Sequence, residues 1–449
     1  MKHTSTETPK TPDWEAVLRT RIVRRAIAGA AAIGLTVAMA ACGGGGTKAE
    51  APTAAGADGV DDGAALTLWT RAPLELQAKA LVEAYNKTHR NQVKLTIVPN
   101  DDYVAKVGAA AGSSQLPDLF AADIVYVPNW TKAGLFADLT DSIAKLPYAD
   151  KINQGHLRAG TYEGKKYVMP FVLDLSVMFW NKKLYREAGL DPEKGPTTLD
   201  EFRAQALAVQ KLNRKDTYGT YFGGNCGGCN VFTWFPMVWA SGEEVMNPEG
   251  TQSLLDGTAA QKVYSTWREL QSAGAIAPGA KDETGATWVA AFQQGKIGVM
   301  PYPATLLSTA AKTVDVGVTP IPGVSGGGAT FVGGDGVGIS KDSTKTQQAW
   351  NFLSWLMSDK AQVDVLAAGN SSVSRTDLAD NRYAAEDPRL VTINKVAADP
   401  HSKTPVSVNF QQAYNAPGSP WVTLLRDQVY GDTGTLGKDN QALSQVLGQ

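Results

Sequence analysis

Cysteine is nearly absent from this sequence. Its 449 residues hold three, Cys42, Cys226 and Cys229, and four histidines, at positions 3, 89, 156 and 401. Three cysteines cannot build a disulfide framework, and these histidines and cysteines do not cluster as zinc ligands must. An excess of basic charge is also missing. Lys and Arg number 42 against 44 Asp and Glu, a net charge of −2, which gives no electrostatic case for nucleic acid or anionic lipid. No phosphate-cradling loop, nucleophile elbow or metal motif is found. Gly334, Gly336 and Gly338 are spaced G-x-G-x-G, which is not the dinucleotide fingerprint. The stretch "GADGVDDGA" lacks the spaced ligands and closing Glu of a calcium loop. Long apolar runs are absent with one exception. Ala26–Ala41 carries no charge, but its sixteen residues fall short of the roughly 20 that a spanning helix needs.

That exception has the build of a secretory signal. Arg19, Arg21, Arg24 and Arg25 precede the apolar run, and small residues end it. "MAAC", Met39–Cys42, resembles the bacterial lipobox, in which the Cys becomes the lipidated first residue. Arg24-Arg25 raises twin-arginine export, although the residues after the pair do not support it. Residues 1–41 are therefore expected to be a lipoprotein signal peptide. Residues 42–65, the lipidated Cys42 and a stretch without large apolar side chains, are expected to form a flexible tether. Removing residues 1–41 takes away six basic and three acidic side chains, leaving 36 against 41 and a net charge of −5. The remaining chain of about 408 residues is long enough for two lobes.

An exported chain also bears on "FGGNCGGCNVFTWF", residues 222–235. Outside the cytosol, Cys226 and Cys229 point to a disulfide ahead of a metal site or a redox centre. Glycines surround the pair, and the expected effect is to stiffen one loop.

Periodicity sketches an α/β chain. "LTLW" at 66–69 reads as a buried strand, and "LELQAKALVEAYNK" places Leu76, Ala80 and Ala84, and also Leu81 and Tyr85, at helical spacing. "VKLTIV" alternates as a second strand. Strand, helix, strand argues for a parallel sheet. "PDLFAADIV" is a further strand, and "YEGKKYVMP" a hairpin turning at Gly164. Thr198 and Glu201 have capping-box spacing before "LDEFRAQALAVQKL". "ATWVAAFQQGK" reads as a helix stopped by Gly295, and a further helix buries Ala349, Phe352, Leu353 and Leu356.

Several stretches, taken in order, resemble the extracellular solute-binding proteins of bacterial ABC importers, in the sugar-binding branch that includes maltose-binding protein. They are "LTLW", "LPDLFAADIVYVPNWTKAGLFADL", "YEGKKYVMPFVLDLSVMFWNKKLYREAGL", "FQQGKIGVM" and "FVGGDGVGISKDSTKTQQAWNFLSWLMS". The resemblance spans residues 66–449. It implies a two-lobed α/β fold, each lobe a mostly parallel sheet flanked by helices, with a ligand cleft between the lobes. It places lobe one at 66–172 plus 318–357 and lobe two at 173–317 plus 358–449. It implies a monomeric binding protein without catalysis or cofactor. The expected partners are a carbohydrate, the permease subunits and, through the lipid anchor, the outer face of the cytoplasmic membrane.

A sugar offers hydroxyl edges to planar polar groups and a C–H face to aromatic rings. Ligands of open α/β sheets sit at strand ends. Asp174, in "PFVLDLSVMFWN", lies where the family carries a sugar-bonding acid. Burying an acid among apolar neighbours is costly without a partner; an interlobe hydrogen bond is the competing role. Asp123 and Tyr126 follow a strand in a loop that the family aims at the cleft, with a helix cap as the alternative for Asp123. Trp69 and Arg71 end the first strand, and Trp69 has a core role as its alternative. Trp234 lies where the family often presents an aromatic platform, again with packing as the alternative, while Phe232, Phe235 and Trp239 are expected to pack. Gly334 and Asp335 follow a strand, where glycine lets backbone N–H groups approach a ligand. Arg375 resembles a loop residue bordering the cleft or lies on the surface. Maltose-type proteins carry a stacking Trp after "FQQGKIGVM"; here the run is "PYPATLL", and Tyr302 takes that place or nothing does. Three other readings stay open: the same fold with a polyamine, peptide or glycerol-phosphate-type ligand, a glycoside hydrolase built on two carboxylates, and a sensor or adhesion lipoprotein.

Overall fold

The computed structural model describes residues 58–449. The signal segment, Cys42 and the tether as far as residue 57 lie outside the described residues. The end of the expected tether is not free. Asn91 Oδ1 accepts the backbone N–H groups of Asp62, Gly63 and Ala64 at 3.2, 3.0 and 2.9 Å. The Asp61 carboxylate accepts from the Asn91 backbone at 2.6 Å. Polar side chains satisfy this segment's backbone, so it docks without large apolar residues.

Strand β1 (Ala65–Arg71) buries Leu66 and Leu68 and pairs in parallel with β2 (Gln92–Val98) and β3 (Leu119–Asp123). Between β1 and β2 runs α1 (Glu75–Asn86), and α2 (Asn100–Gly112) follows β2. The buried face of α1 is Ala78, Leu81, Val82 and Tyr85, whereas Leu76 is 81% exposed. Two apolar stripes fit a helical period here, and packing selects one. The Thr161–Tyr162 and Lys165–Lys166 strands, β4 and β5, form the hairpin, with Glu163 and Gly164 both at positive φ, as a two-residue turn requires.

Strand β6 (Met169–Asn181) joins the two parts of the molecule. Its first half pairs with β9 (Val332–Ile339), and its second half with β7 (Val299–Pro303) and β8 (Val316–Thr319). The sheet order is β2-β1-β3-β9-β6-β7, with β8 also on β6. A mostly parallel sheet was the expectation. It holds for β2-β1-β3 and fails beyond, because β9 and β6 join antiparallel and so do β7 and β8. The sheet is mixed, as large sheets often are.

One core cluster packs Leu68, Leu81 and Tyr85 against Phe352 and Leu353 of α6 (Thr346–Leu356). Another is rich in tryptophan. Trp234 of α3 (Gly227–Trp239) stacks on Trp267 of α4 (Thr258–Ser272), centroids 4.9 Å apart and planes within 5°. Helix α7 (Pro420–Tyr430) adds Trp421 to it. Among the described residues, no helix is long and apolar enough to cross a membrane.

Candidate functional site

A cavity of about 680 Å³ opens where β6 passes from one set of partners to the next. Its polar wall begins with Arg71, the last residue of β1. The guanidinium donates to Asp335 of β9 through Nε at 2.8 Å and Nη2 at 2.5 Å, and Nη2 lies 3.1 Å from Asp123 of β3. Strand pairing sets this triad, since Asp123 and Asp335 are register partners across β3 and β9. Burial works against the Arg71 charge, but Asp123 and Asp335 outweigh it and hold the proton more firmly than usual. Burial also pushes the Asp335 carboxyl upward, against the pull of Arg71.

Asp174 faces the same cavity from β6. Every other residue of this strand is buried. Its Oδ1 is shielded from solvent and has no hydrogen-bond partner. Burial pushes its pKa up to about 7; Arg71 pulls it down, and Asp123 pushes it up. Asp174 Oδ1, Trp288 Nε1 and Asn415 Oδ1 are polar atoms of cavity-lining residues that have no partner within the protein.

The opposite wall is aromatic. Tyr302 of β7 meets Trp288, the first residue of α5 (Trp288–Gln293), edge to face with centroids 4.4 Å apart. The Trp288 indole N–H is buried without a partner. Glu283 sets the turn before it, accepting from Gly285 N at 2.7 Å, Thr287 N at 3.2 Å, Tyr221 Oη at 3.1 Å and the Thr287 hydroxyl. Phe232 and Phe331, centroids 5.0 Å apart, continue this wall.

Cys226 and Cys229 border the wall with their sulfurs at bonding distance and their Cα atoms 5.2 Å apart. Cys229 lines the cavity. The pair stands at a helix start and not in a glycine loop: Cys226 caps α3, its Sγ accepting the Cys229 N–H at 3.1 Å. The sulfurs pack against Gly285, where an added Cβ would come within 2.8 Å of Cys229 Sγ.

The structure thus brings Arg71, Asp123, Asp174, Tyr302 and Gly334 to one cavity, with Asp335 behind Arg71. Gly334 has a further duty: its φ is +97°, and a Cβ there would collide with the Val172 carbonyl. Four expected site residues lie elsewhere. Trp234 is core, as its stack on Trp267 requires. Tyr126 stacks on Trp130 at 5.8 Å. Trp69 carries Lys106 over its ring at 4.6 Å. Arg375 is neither a surface nor a cleft residue. It is buried, ion-paired with Asp359 and Asp377, bonded to the Met357 carbonyl, and stacked on Tyr148 at 4.0 Å. Phe232, expected to pack, lines the cavity, and Trp288 was missed. Its place at the start of a short, mostly apolar helix gave no separate signal.

The family pattern described as "Bacterial extracellular solute-binding protein" matches residues 72–363. The chain belongs to the bacterial extracellular solute-binding proteins. Membership implies an extracellular or periplasmic location, and the members are binding proteins. A relative in Streptomyces coelicolor, the diacetylchitobiose binding protein DasA, is 27% identical over 375 residues, covering 80% of this chain and 84% of that one. Among solved structures, the cyclic alpha-maltosyl-1,6-maltose binding protein of Arthrobacter globiformis superposes with a TM-score of 0.71 at 22% identity, over 86% of this chain and 99% of that one. The sugar-binding protein MalE of Xanthomonas citri gives 0.74 at 16% identity, over 85% and 97%. The solute-binding chain shares their two-lobed α/β fold.

Proposed function

We propose that this protein is the carbohydrate-capturing component of an ABC importer. It takes a mono- to oligosaccharide into the cavity at β6 and delivers it to the permease in the membrane. The observation that carries this reading is the pairing of walls. A carboxyl at Asp174 whose Oδ1 has no partner faces a cavity whose other side is the Trp288–Tyr302 pair. Hydroxyl edges and a C–H face are the two surfaces such walls suit. The names of the relatives support the same class, since each binds a saccharide. We read Cys226–Cys229 as a disulfide that stiffens the aromatic wall, and Cys42 as a lipid anchor that keeps a monomer near its permease. The lobe boundaries we propose are 66–172 plus 318–357 and 173–317 plus 358–449, so that β6 carries the first crossing.

The test is a thermal-shift panel of mono-, di- and oligosaccharides, polyols, polyamines and phosphorylated sugars on residues 43–449. A ligand at 100 times its Kd stabilises by about 2.7 kcal/mol, enough to move the midpoint visibly. We expect a shift with one saccharide series, and its loss in Asp174→Ala. A response confined to non-saccharides would overturn the reading and leave the fold untouched.

A further inference from the structure

The cavity's charges do not balance. Arg71 is the one basic residue among the described residues that line it, and its charge is already shared between Asp335 and Asp123. Asp174, in the same cavity, has no cation of its own, and its Oδ1 lacks any partner. A third carboxyl in this setting is stabilised by a proton, by hydrogen-bond donors such as hydroxyls and, most strongly, by a positive ligand group. The rings opposite, Trp288, Tyr302, Phe232 and Phe331, hold C–H faces and also attract cations. A phosphate or carboxylate brought here would meet excess negative charge with no free Arg or Lys to receive it.

We propose that the preferred ligand is an amine-bearing saccharide, whose ammonium group pairs with the Asp174 carboxylate while its ring lies against the Trp288–Tyr302 wall. This rests on the carbohydrate reading and narrows it to a charge class. Anionic sugars are excluded by the same arrangement. The charged and titratable groups that face Asp174 are Arg71 on β1, Asp123 on β3, Asp335 on β9 and Tyr302 on β7. Arg71 stays charged and Tyr302 stays neutral near pH 7, so Asp174 must itself release a proton to receive the amine. Affinity for the amine therefore rises with pH as this carboxyl ionises.

The experiment is titration calorimetry on the full lobed chain at pH 7 with three matched series: amino sugars and their oligomers, the N-acetylated forms, and the parent neutral sugars. Sugar phosphates and spermidine complete the set. We expect the amine to bind at least tenfold more tightly than its N-acetylated and neutral counterparts. We further expect its affinity to increase between pH 5.5 and 7, and the preference to collapse in Asp174→Asn. Equal or tighter binding of the neutral or N-acetylated form overturns the proposal and leaves the carbohydrate reading standing. So does tight binding of a sugar phosphate. If no saccharide binds in any form, with or without a response to spermidine, both readings fall together.

Discussion

Arg71 holds one positive charge among three carboxylates, and its side chain is only 15% exposed. Replacing it with Ala would leave Asp335, which is fully buried, without its bidentate partner. Breaking a buried pair from one side costs about 3–5 kcal/mol. We expect Arg71→Ala to lose stability of that order in urea unfolding at pH 7, and to lose less at pH 5, where protons can substitute for the guanidinium. A variant as stable as the parent at pH 7 would mean that water already reaches Asp335. At this scale, legibility followed chemical cost. Asp174 could be picked from the sequence because an acid inside "FVLDLSV" demands a reason. Trp288 could not, because a Trp on a short, mostly apolar helix is what a core residue also looks like. Arg375 misled in the opposite way: its partners Asp359, Asp377 and Tyr148 are brought to it by the fold, so neither the resemblance to a cleft-bordering loop nor the surface alternative foresaw its burial.

The element that the sequence described least well is β9. "VGGDGVGI" is buried at every position, yet glycine is depleted in strands, and the expected strand ends before Gly334. Its glycines make room for larger neighbours. A Cβ at Gly336 would press on Val168 and Ile124, and one at Gly338 on the Phe136 ring and the Tyr167 carbonyl. Phe136 cannot swing away freely, since it stacks on Phe120 with centroids 4.4 Å apart. Overpacking of this kind costs about 1–3 kcal/mol. We expect Gly338→Ala to fall in that range by denaturant midpoint while leaving ligand affinity unchanged, because Gly338 does not line the cavity. An unshifted midpoint would show that the Phe120–Phe136 stack yields at no cost. Helix α3 was hidden for a similar reason. Glycines around Cys226 and Cys229 disguise a helix start, and only the fold reveals Cys226 as its cap.

Over the whole molecule, two buried acids and a buried histidine make opposing contributions to stability with pH. Asp174, ordinarily at 3.8, is pushed up to about 7 by burial. The folded chain therefore holds a proton there that the unfolded chain releases, and stability falls as pH rises from about 4 to about 7. Asp335 is also raised by burial and acts in the same sense. His156 acts against them. It is fully buried, Nε2 donates to the Gly333 carbonyl at 3.0 Å, and Nδ1 has no partner. Burial lowers its pKa from 6.5 to about 4. The folded chain thus refuses a proton that the unfolded chain takes up, and this contribution is present above pH 6.5 and lost as pH falls toward 4. Two acids oppose one histidine across nearly the same interval. The ligand-free protein should therefore lose some stability from these groups between pH 4.5 and 6.5 instead of gaining it. Asp174→Asn removes one acid, leaving Asp335 and His156 to offset one another, and the decline should flatten. The variant should also be more stable than the parent at pH 7.5, where the parent carries the buried charge. Urea unfolding of both chains at pH 4.5, 6 and 7.5 measures this. Parallel curves for the two proteins would mean that Asp174 ionises as freely as in water, and the same result would remove the reason for the cavity to want a cation.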